Sequence, residues 1–323
     1  MAVLSQVALA KVLRELEQIE KNGAGDGHVI IARGSAIKVS SLTKILFPSG
    51  GVTKGEVMRY NTAVAPYLLP LLKDRPLSLK RFPNGVEGHF FFQQKAPPEA
   101  PDSVRAETVI SESGEPQERL VGGSLVTLLY CTQIGAFECN PWNARVQSLP
   151  YPDFAIIDLD PGSRAPFRRV VEVALWVHEA LNHLGLHGGV KTSGATGIHI
   201  GIPLPPGCEE SVAERVARLI ASAVAGAHPK AATVERSLKE RGDAQVYVDF
   251  GQNSRGKTVA SAYSVRAKPD ATVSTPLAWD ELTPDLDPRE FTVRTVPERI
   301  RRVGDLWAAA MKRPNPKRIV TDL

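Results

Sequence analysis

The chain has 323 residues, 43% of them hydrophobic and 23% charged, with a formal net charge of +4. That balance excludes a disordered or low-complexity chain and suffices for a sizeable core or two fused lobes, while the mild positive charge permits a nucleic-acid partner without requiring one. The three cysteines, Cys131, Cys139 and Cys208, fit no zinc spacing and no disulfide framework, which points to a reducing compartment.

Residues 4 to 21 carry Leu9, Val12, Leu13, Leu16 and Ile19 at helical spacing, and Asn22-Gly23-Ala24-Gly25-Asp26-Gly27 ends the helix. This segment turns charged too soon for a signal peptide, and no apolar run approaches the roughly 20 residues that span a bilayer. A cytoplasmic protein with no membrane partner is expected. Val29 to Val39 reads as paired short strands around Arg33-Gly34-Ser35, so 1–28 is set apart as a helical appendage. Thr53 is an N-cap, with Glu56 completing a capping box, for a helix running towards Leu72. His89 to Gln94 is a strand ended by the prolines from Pro97 to Pro101, and 102–124 reads as strands with an exposed loop. Phe154 to Asp160 is a strand stopped by Pro161-Gly162, and Val170 to Leu186 is a helix. Gly188 to Pro203 gives a strand, a glycine turn and a second strand. Ser211 caps a helix to about Ala225, and Gln245 to Phe250 is another strand. The alternation is that of an α/β or α+β fold. Beyond about 270 the chain is proline-rich and charged, with a short helix near Val303 to Lys312.

In Asp158-Leu159-Asp160 the strand period of two puts both carboxylates on one face, with Cα atoms roughly 7 Å apart. Like charges that close need something positive between them, and a hard divalent cation with oxygen preference supplies it. Asp249 ends the apolar strand VYVDF and is a candidate for the same site. The plain alternative is an Asx-Pro-Gly turn or a helix cap, and spacing leaves both open.

Between the two strands of 188–203 runs Lys191-Thr192-Ser193-Gly194-Ala195-Thr196-Gly197-Ile198-His199. Small residues let backbone N–H groups approach an anion, and Ser193, Thr196 and His199 add side-chain donors. A hairpin turn with a half-buried histidine explains the same residues. Gly251 to Thr258 matches the P-loop pattern G-x-x-x-x-G-K-[ST] after a strand. A P-loop needs a helix beginning at that lysine. The following VASAYSVRAKP is rich in β-branched and aromatic residues and reads as a strand, so a P-loop NTPase is the disfavoured alternative. His183 and His187, and the basic runs Arg299 to Arg302 and Lys312 to Arg318, are expected on solvated surface.

Taken in order, FAIIDLDPG, KTSGATGIHIGIPL and VYVDFGQNSRGKTVASAYSVRAKPDATVSTPLAWDEL resemble the three motifs of the polymerase domain of bacterial ATP-dependent DNA ligase D, a member of the archaeo-eukaryotic primase superfamily. The likeness extends upstream through LTKILFPSGGVTKGEV, RPLSLKRFPNGVEGHFFFQQKAPPEAP and NPWNARVQS, and covers roughly residues 38 to 310. It implies an α+β, two-lobed primase-like fold with sheets flanked by helices and an active site in the crevice between lobes. The domain division it suggests is an appendage over 1–28, one catalytic domain over 29–310 and a tail over 311–323.

The resemblance also implies roles. Asp158, Asp160 and Asp249 match the metal-binding acids, for two ions of Mn²⁺ or Mg²⁺. Ser193, Gly194, Thr196 and His199 match the triphosphate-contacting second motif. Asn140, Gln252, Lys257 and Arg266 match residues lining the nucleotide pocket. Lys44 and Lys54 match lysines that bind a downstream 5′-phosphate across a gap, and Phe91 and Phe92 match aromatics that stack on template bases. Two positions depart from the pattern: Asn140 stands where members usually carry His, and Thr196 where many carry Lys. Both remove positive charge near the triphosphate without touching the acids. The chain holds no K-x-D-G adenylation motif, so ligase activity is not expected and the polymerase is expected to stand alone.

The implied activity is addition of NTP or dNTP to DNA 3′-ends by two-metal chemistry, filling gaps and processing ends in non-homologous end joining. The expected partners are gapped or broken double-stranded DNA with a 5′-phosphate, Ku and a separately encoded ligase, acting on a monomer that gathers at the nucleoid during repair. The competing readings are a primase or excision-repair gap-filler of the same superfamily, and a DNA-end-binding scaffold with a weakened site.

Overall fold

The computed structural model describes residues 5–23, 25–32, 35–111 and 113–323. The chain forms two compact units: Met1–Pro141 with Ala260–Val273 and Arg289–Arg302, and Trp142–Val259 with Ser274–Pro288 and Val303–Leu323. Residues on both sides of 28 fall in the first unit, and residues on both sides of 310 in the second.

The first unit opens with α1 (Gln6–Lys21), which Ser5 caps by accepting from Ala8 N at 3.2 Å. Residue 4 and the Arg33-Gly34 turn lie outside the described residues. The antiparallel pair β1 (Gly27–Ala32) and β2 (Ser35–Val39) follows, then β3 (Ile45–Phe47) and β4 (Val52–Thr53). In α2 (Lys54–Leu72) Thr53 Oγ1 accepts from Glu56 N at 3.1 Å, as expected, but the Glu56 carboxylate is paired with Arg294 at 2.6 Å. Leu9, Val12 and Leu16 bury one stripe of α1, and α1 packs on α2. Thr53 Oγ1 and Arg59 both donate to Glu20, and a Cβ at Gly55 would meet Glu20 Oε1 at 2.8 Å. The N-terminal helix is thus tied to α2. The remaining elements here are β5 (Leu77–Arg81), β6 (Phe91–Gln93), the hairpin β7 (Ala106–Ile110) and β8 (Pro116–Leu120), α3 (Leu125–Gln133) and β9 (Asn140–Pro141). A three-stranded sheet runs β6-β5-β9.

The second unit contains β10 (Phe154–Pro161), α4 (Phe167–His183), β11 (Gly189–Thr192), β12 (Ile198–Pro203), α5 (Glu210–Ala227), β13 (Ala232–Thr233), β14 (Val246–Asp249) and β15 (Pro276–Leu277). After α6 (Val296–Val303), the short helices α7 (Leu306–Met311) and α8 (Lys317–Asp322) complete the chain. A six-stranded sheet runs β13-β14-β10-β12-β11-β15, antiparallel except for β13 beside β14. Amphipathic α4 and α5 pack on β10, burying Val170, Val173, Val177 and Leu181 from one helix and Val216, Ile220 and Val224 from the other. By strand alternation Ile157, Leu159, Ile198, Ile200 and Val248 face them, and their neighbours face the other way. α5 is capped by Glu209 without a side-chain bond, so Ser211 lies inside the first turn rather than at the cap.

Two expectations about 251–268 separate here. The P-loop is absent: Gly251–Asn253 is one 3₁₀ turn, and residues 254–278 hold no helix. Nor is VASAYSVRAKP a strand. Tyr263 takes φ 66° and Ala271 φ 51°, left-handed backbone that breaks an extended run and leaves isolated bridges such as Val265 with Val273.

Candidate functional site

The site grows from register. On β10, Asp158 stands opposite Asp249 of β14 on one side and His199 of β12 on the other. His199 in turn stands opposite Lys191 of β11. One cross-strand row therefore reads Asp249, Asp158, His199, Lys191, all on the face turned away from α4 and α5. Asp160 lies two residues along β10 on the same face, opposite Tyr247. Four strands each contribute one side chain to the row, and β10 adds Asp160 beside it. Directly opposed residues in such a ladder have Cβ atoms about 4.5–5.5 Å apart.

Close polar contacts run along the row. His199 Nε2 is 3.2 Å from Asp158 Oδ1, and Lys191 Nζ is 2.5 Å from His199 Nδ1. Lys191, His199 and Asp249 are 1%, 4% and 8% exposed, whereas Asp160 is open to solvent. Asp249 Oδ1 accepts from Gly251 N at 2.7 Å and from the Tyr247 hydroxyl at 3.2 Å, and Oδ2 accepts from Gln252 Nε2 at 2.8 Å. Burial first, and Asp249 second, push the Tyr247 phenol up to about 12, so it stays a donor. The sequence reading assigned Gln252 to a nucleotide; here its amide orients an acid. Asn253 pins the same turn to β10, donating to Ile156 O and accepting from Ile156 N, each at 2.8 Å.

The loop after β11 is closed by its own serine. Ser193 Oγ accepts from Ala195 N at 3.1 Å and from Gly197 N at 3.0 Å. Those two N–H groups are therefore committed within the loop rather than offered to an anion. A hydroxyl that accepts twice has one proton to donate. Gly194 takes φ 70°, which favours glycine. Gly197 lies against β10 so closely that a Cβ would meet Leu159 O at 2.2 Å and Asp160 Oδ1 at 3.7 Å. Thr196 is exposed at the loop tip, and Lys257 is exposed beyond the 3₁₀ turn.

The donor set fits divalent cations by its chemistry. Asp158, Asp160 and Asp249 are oxygen-only ligands on one face, two of them in direct opposition, where unscreened like charges repel. As placed, no three His, Cys, Asp or Glu side chains among the described residues form a ready cage, and Asp249 is turned to its three protein donors. His183 and His187 form no pair on α4: the helix ends at His183, whose Nδ1 is 2.8 Å from Glu179 O, and His187 Nε2 is 2.8 Å from Arg313 O.

The other expected residues belong to the first unit. Asn140 opens β9, opposite Ser78 of β5. Arg266 Nε donates to Glu138 Oε1 at 3.2 Å, an acid that also accepts from Ala267 N at 2.8 Å. Lys44 Nζ donates to Pro83 O at 2.6 Å. Lys54, the first residue of α2, is buried, donating to Ser40 O at 3.1 Å and Gln133 O at 3.4 Å. Burial, then repulsion from Lys44, lowers its ammonium below the ordinary lysine value. Phe91 and Phe92 do not share a face, since neighbours on a strand point oppositely. Phe92 instead shares its side with Phe90, ring centroids 6.0 Å apart, and Lys80 Nζ lies 4.4 Å from the Phe90 ring and 5.9 Å from that of Phe92. Phe91 has Arg81 at 5.3 Å.

Sequence reasoning passed over Lys191, Tyr247, Phe90 and Lys80. A lysine inside the short strand GVKT, where an apolar residue is expected, was the available signal for the first. The alternation H-F-F-F was the signal for Phe90.

Comparison with known proteins agrees with this architecture. The family model "LigD, primase-polymerase domain" matches residues 53–307. The bifunctional non-homologous end joining protein LigD of Bacillus subtilis is 35% identical over 272 residues, covering 83% of this chain and 43% of that protein. The multifunctional protein of the same name from Pseudomonas aeruginosa is 30% identical over 280 residues, covering 86% of this chain and 33% of its own. The chain thus spans less than half the length of these relatives. The solved polymerase domain from Mycobacterium tuberculosis ligase D, in complex with DNA, superposes with a TM-score of 0.79 at 28% identity, covering 87% of this chain and 99% of that one. No helix among the described residues is long and apolar enough to cross a membrane.

Proposed function

The chain belongs to the LigD primase-polymerase family, and from that premise we propose that it is a DNA-dependent nucleotidyltransferase, adding nucleotides to DNA 3′-ends at gaps and breaks. The observation that carries this is the acidic row: Asp158 opposed by Asp249, with Asp160 on the same face and His199 beside them.

Asp158, Asp160 and Asp249 are the residues that would hold two ions of Mn²⁺ or Mg²⁺, which when bound supply activation of the 3′-hydroxyl and neutralisation of the triphosphate and leaving pyrophosphate. The protein's own groups do the rest by orientation and charge. Gln252, Tyr247 and Gly251 N hold Asp249 in place from behind. His199 Nε2 and the Ser193 hydroxyl are donors for phosphate oxygens. Thr196, exposed on its loop, offers a neutral donor where many relatives offer a cation. No side chain is required as a nucleophile, and electrostatic preorganisation carries the acceleration.

The test is primer extension on gapped DNA bearing a downstream 5′-phosphate, with Mn²⁺ and either NTPs or dNTPs. Extension by the wild type, and none by Asp158→Ala with Asp160→Ala at unchanged DNA affinity, is the expected result. Extension by that double variant would sink the assignment. A wild type that binds ends tightly yet extends nothing would favour the scaffold reading, and initiation on unprimed template the primase reading. Pathway is proposed on the same footing: the relatives are named for non-homologous end joining, and Ku with a ligase activity are the partners a gap-filler of ends would need.

A further inference from the structure

Lys191 is a lysine inside the sheet with 1% of its surface exposed. Its Nζ lies 2.5 Å from His199 Nδ1 and donates to Ser274 Oγ at 2.7 Å. Ser274 spends its own proton on Thr192 O at 2.8 Å, so toward the lysine it can only accept. The Trp307 ring centroid is 5.7 Å from Nζ. That indole reaches the sheet because Gly189 and Gly201 leave space for it; a Cβ at Gly201 would meet Trp307 Cη2 at 2.8 Å. The amino group is fixed on several sides, with the imidazole as one of its partners.

An ammonium has donors and no lone pair. A ring nitrogen at hydrogen-bond distance from it must therefore be the unprotonated one, and in a neutral imidazole the proton then sits on the other nitrogen. We propose that Lys191, held as an ammonium, is a positioning residue that keeps His199 in the tautomer protonated at Nε2. That tautomer puts an N–H on the ring nitrogen nearest Asp158, 3.2 Å from its Oδ1, and, on the nucleotidyltransferase reading above, makes it a donor for the triphosphate. The opposite tautomer would set a lone pair against a carboxylate and a phosphate, two acceptors facing a third. The same contact places a buried positive charge behind the pair of opposed acids. Thus the lysine of K-T-S-G acts on the nucleotide through the histidine, without touching it.

The experiment reads the tautomer directly. The full chain is labelled with ¹⁵N-histidine, and two-bond ¹H–¹⁵N correlations are recorded at one neutral pH without nucleotide. Of the seven histidines, His199 is assigned by its loss in His199→Asn. The expected result is an Nε2–H tautomer in the wild type, a mixture in Lys191→Met, and retention of Nε2–H in Lys191→Gln, which keeps a neutral N–H donor. A wild-type His199 protonated at Nδ1, or a tautomer unmoved in a folded Lys191→Met, overturns the proposal. If the methionine variant does not fold, Lys191→Ala carries the same comparison, and a wild-type ring protonated at Nδ1 still overturns the proposal. Calorimetry with Mn²⁺ and an NTP adds the functional arm: Kd rises about 3- to 10-fold in Lys191→Met, the effect of one lost hydrogen bond, and much less in Lys191→Gln. If the tautomer is as stated but the wild type binds no nucleotide, the functional reading fails and the positioning role stands.

Discussion

Asp158 and Asp249 stand directly opposite each other across the β10–β14 ladder. Two carboxylates so placed repel unless something positive joins them, since like charges directly opposed across strands are destabilising. Without a cation such a pair opposes the stability of the sheet, the ordinary mark of a site kept for function.

Asp158→Asn should therefore stabilise the protein when divalent ions are chelated. The expected rise in Tm is about 1–2 °C in EDTA, and Mn²⁺ should raise the wild-type Tm while leaving that of the variant nearly unmoved. Thermal scans with and without Mn²⁺ check both. A variant less stable than wild type in EDTA would show that the opposition carries no strain.

Gly197→Ala tests how closely the loop lies on β10. Its new Cβ would sit 2.2 Å from Leu159 O, a backbone atom that cannot step aside. Overpacking of this kind costs about 1–3 kcal/mol, and the displacement falls between Asp158 and Asp160. Denaturant melts should show that loss together with abolished extension. Near-wild-type activity would mean that the loop is free to lift.

The aromatic strand should be unequal in its parts. Phe92, 66% exposed, and Phe90 lie on one side with Lys80, a platform suited to stacked bases. Phe92→Ala should weaken binding to DNA with an unpaired template by about 1–3 kcal/mol, the usual worth of one stacked base, and Phe90→Ala by a comparable amount. Phe91→Ala should cost less. Fluorescence anisotropy on a gapped duplex ranks the three, and a largest loss at Phe91 would contradict the face assignment.

Lys54 gives a pH signature. Its folded-state ammonium lies below the ordinary 10.5 because burial, then Lys44, disfavours the charge. Between the lowered value and 10.5 the unfolded chain binds more protons than the folded one, so stability from this group rises with pH across that window. Relative to Lys54→Met, the wild type should gain stability as pH climbs from 8 towards 10.5, by chemical denaturation in the absence of DNA. A flat difference would place the ammonium in water. Separately, Lys44→Ala should reduce the salt dependence of binding to 5′-phosphorylated gaps.

Local chemistry was legible in the chain, and long-range register was not. The apolar run before Asp158, the cap at Thr53 and the amphipathic stripes of α1, α4 and α5 each rest on neighbours within a few turns, and each stands in the structure. That Asp158 meets Asp249 and His199 depends on pairing strands up to about ninety positions apart, which periodicity cannot state; the resemblance to a known family supplied it. Lys191 carries no legible role in the chain because its meaning lies in His199 on β12 and in Ser274 just before β15. The segment after Thr258 misled by composition. Val265 is buried, but left-handed backbone at Tyr263 lets it pack without the segment joining a sheet. Ser211 misled in the same manner: a good capping residue stood two positions too late.

The alternation along β10, β12 and β14 has a consequence for how the protein is made. Each acid or base of the row is flanked by an aliphatic residue bound for the underside of the sheet. Slipping any one of these strands by a single position would drive a carboxylate or imidazole beneath α4 and α5 and put an aliphatic side chain in its place on the acidic face. Misregistered chains should thus be unstable as well as inert. The requirement for a dry interior proofreads the catalytic constellation, so that in a preparation of this protein the fraction of molecules that is folded and the fraction that is competent should be the same number.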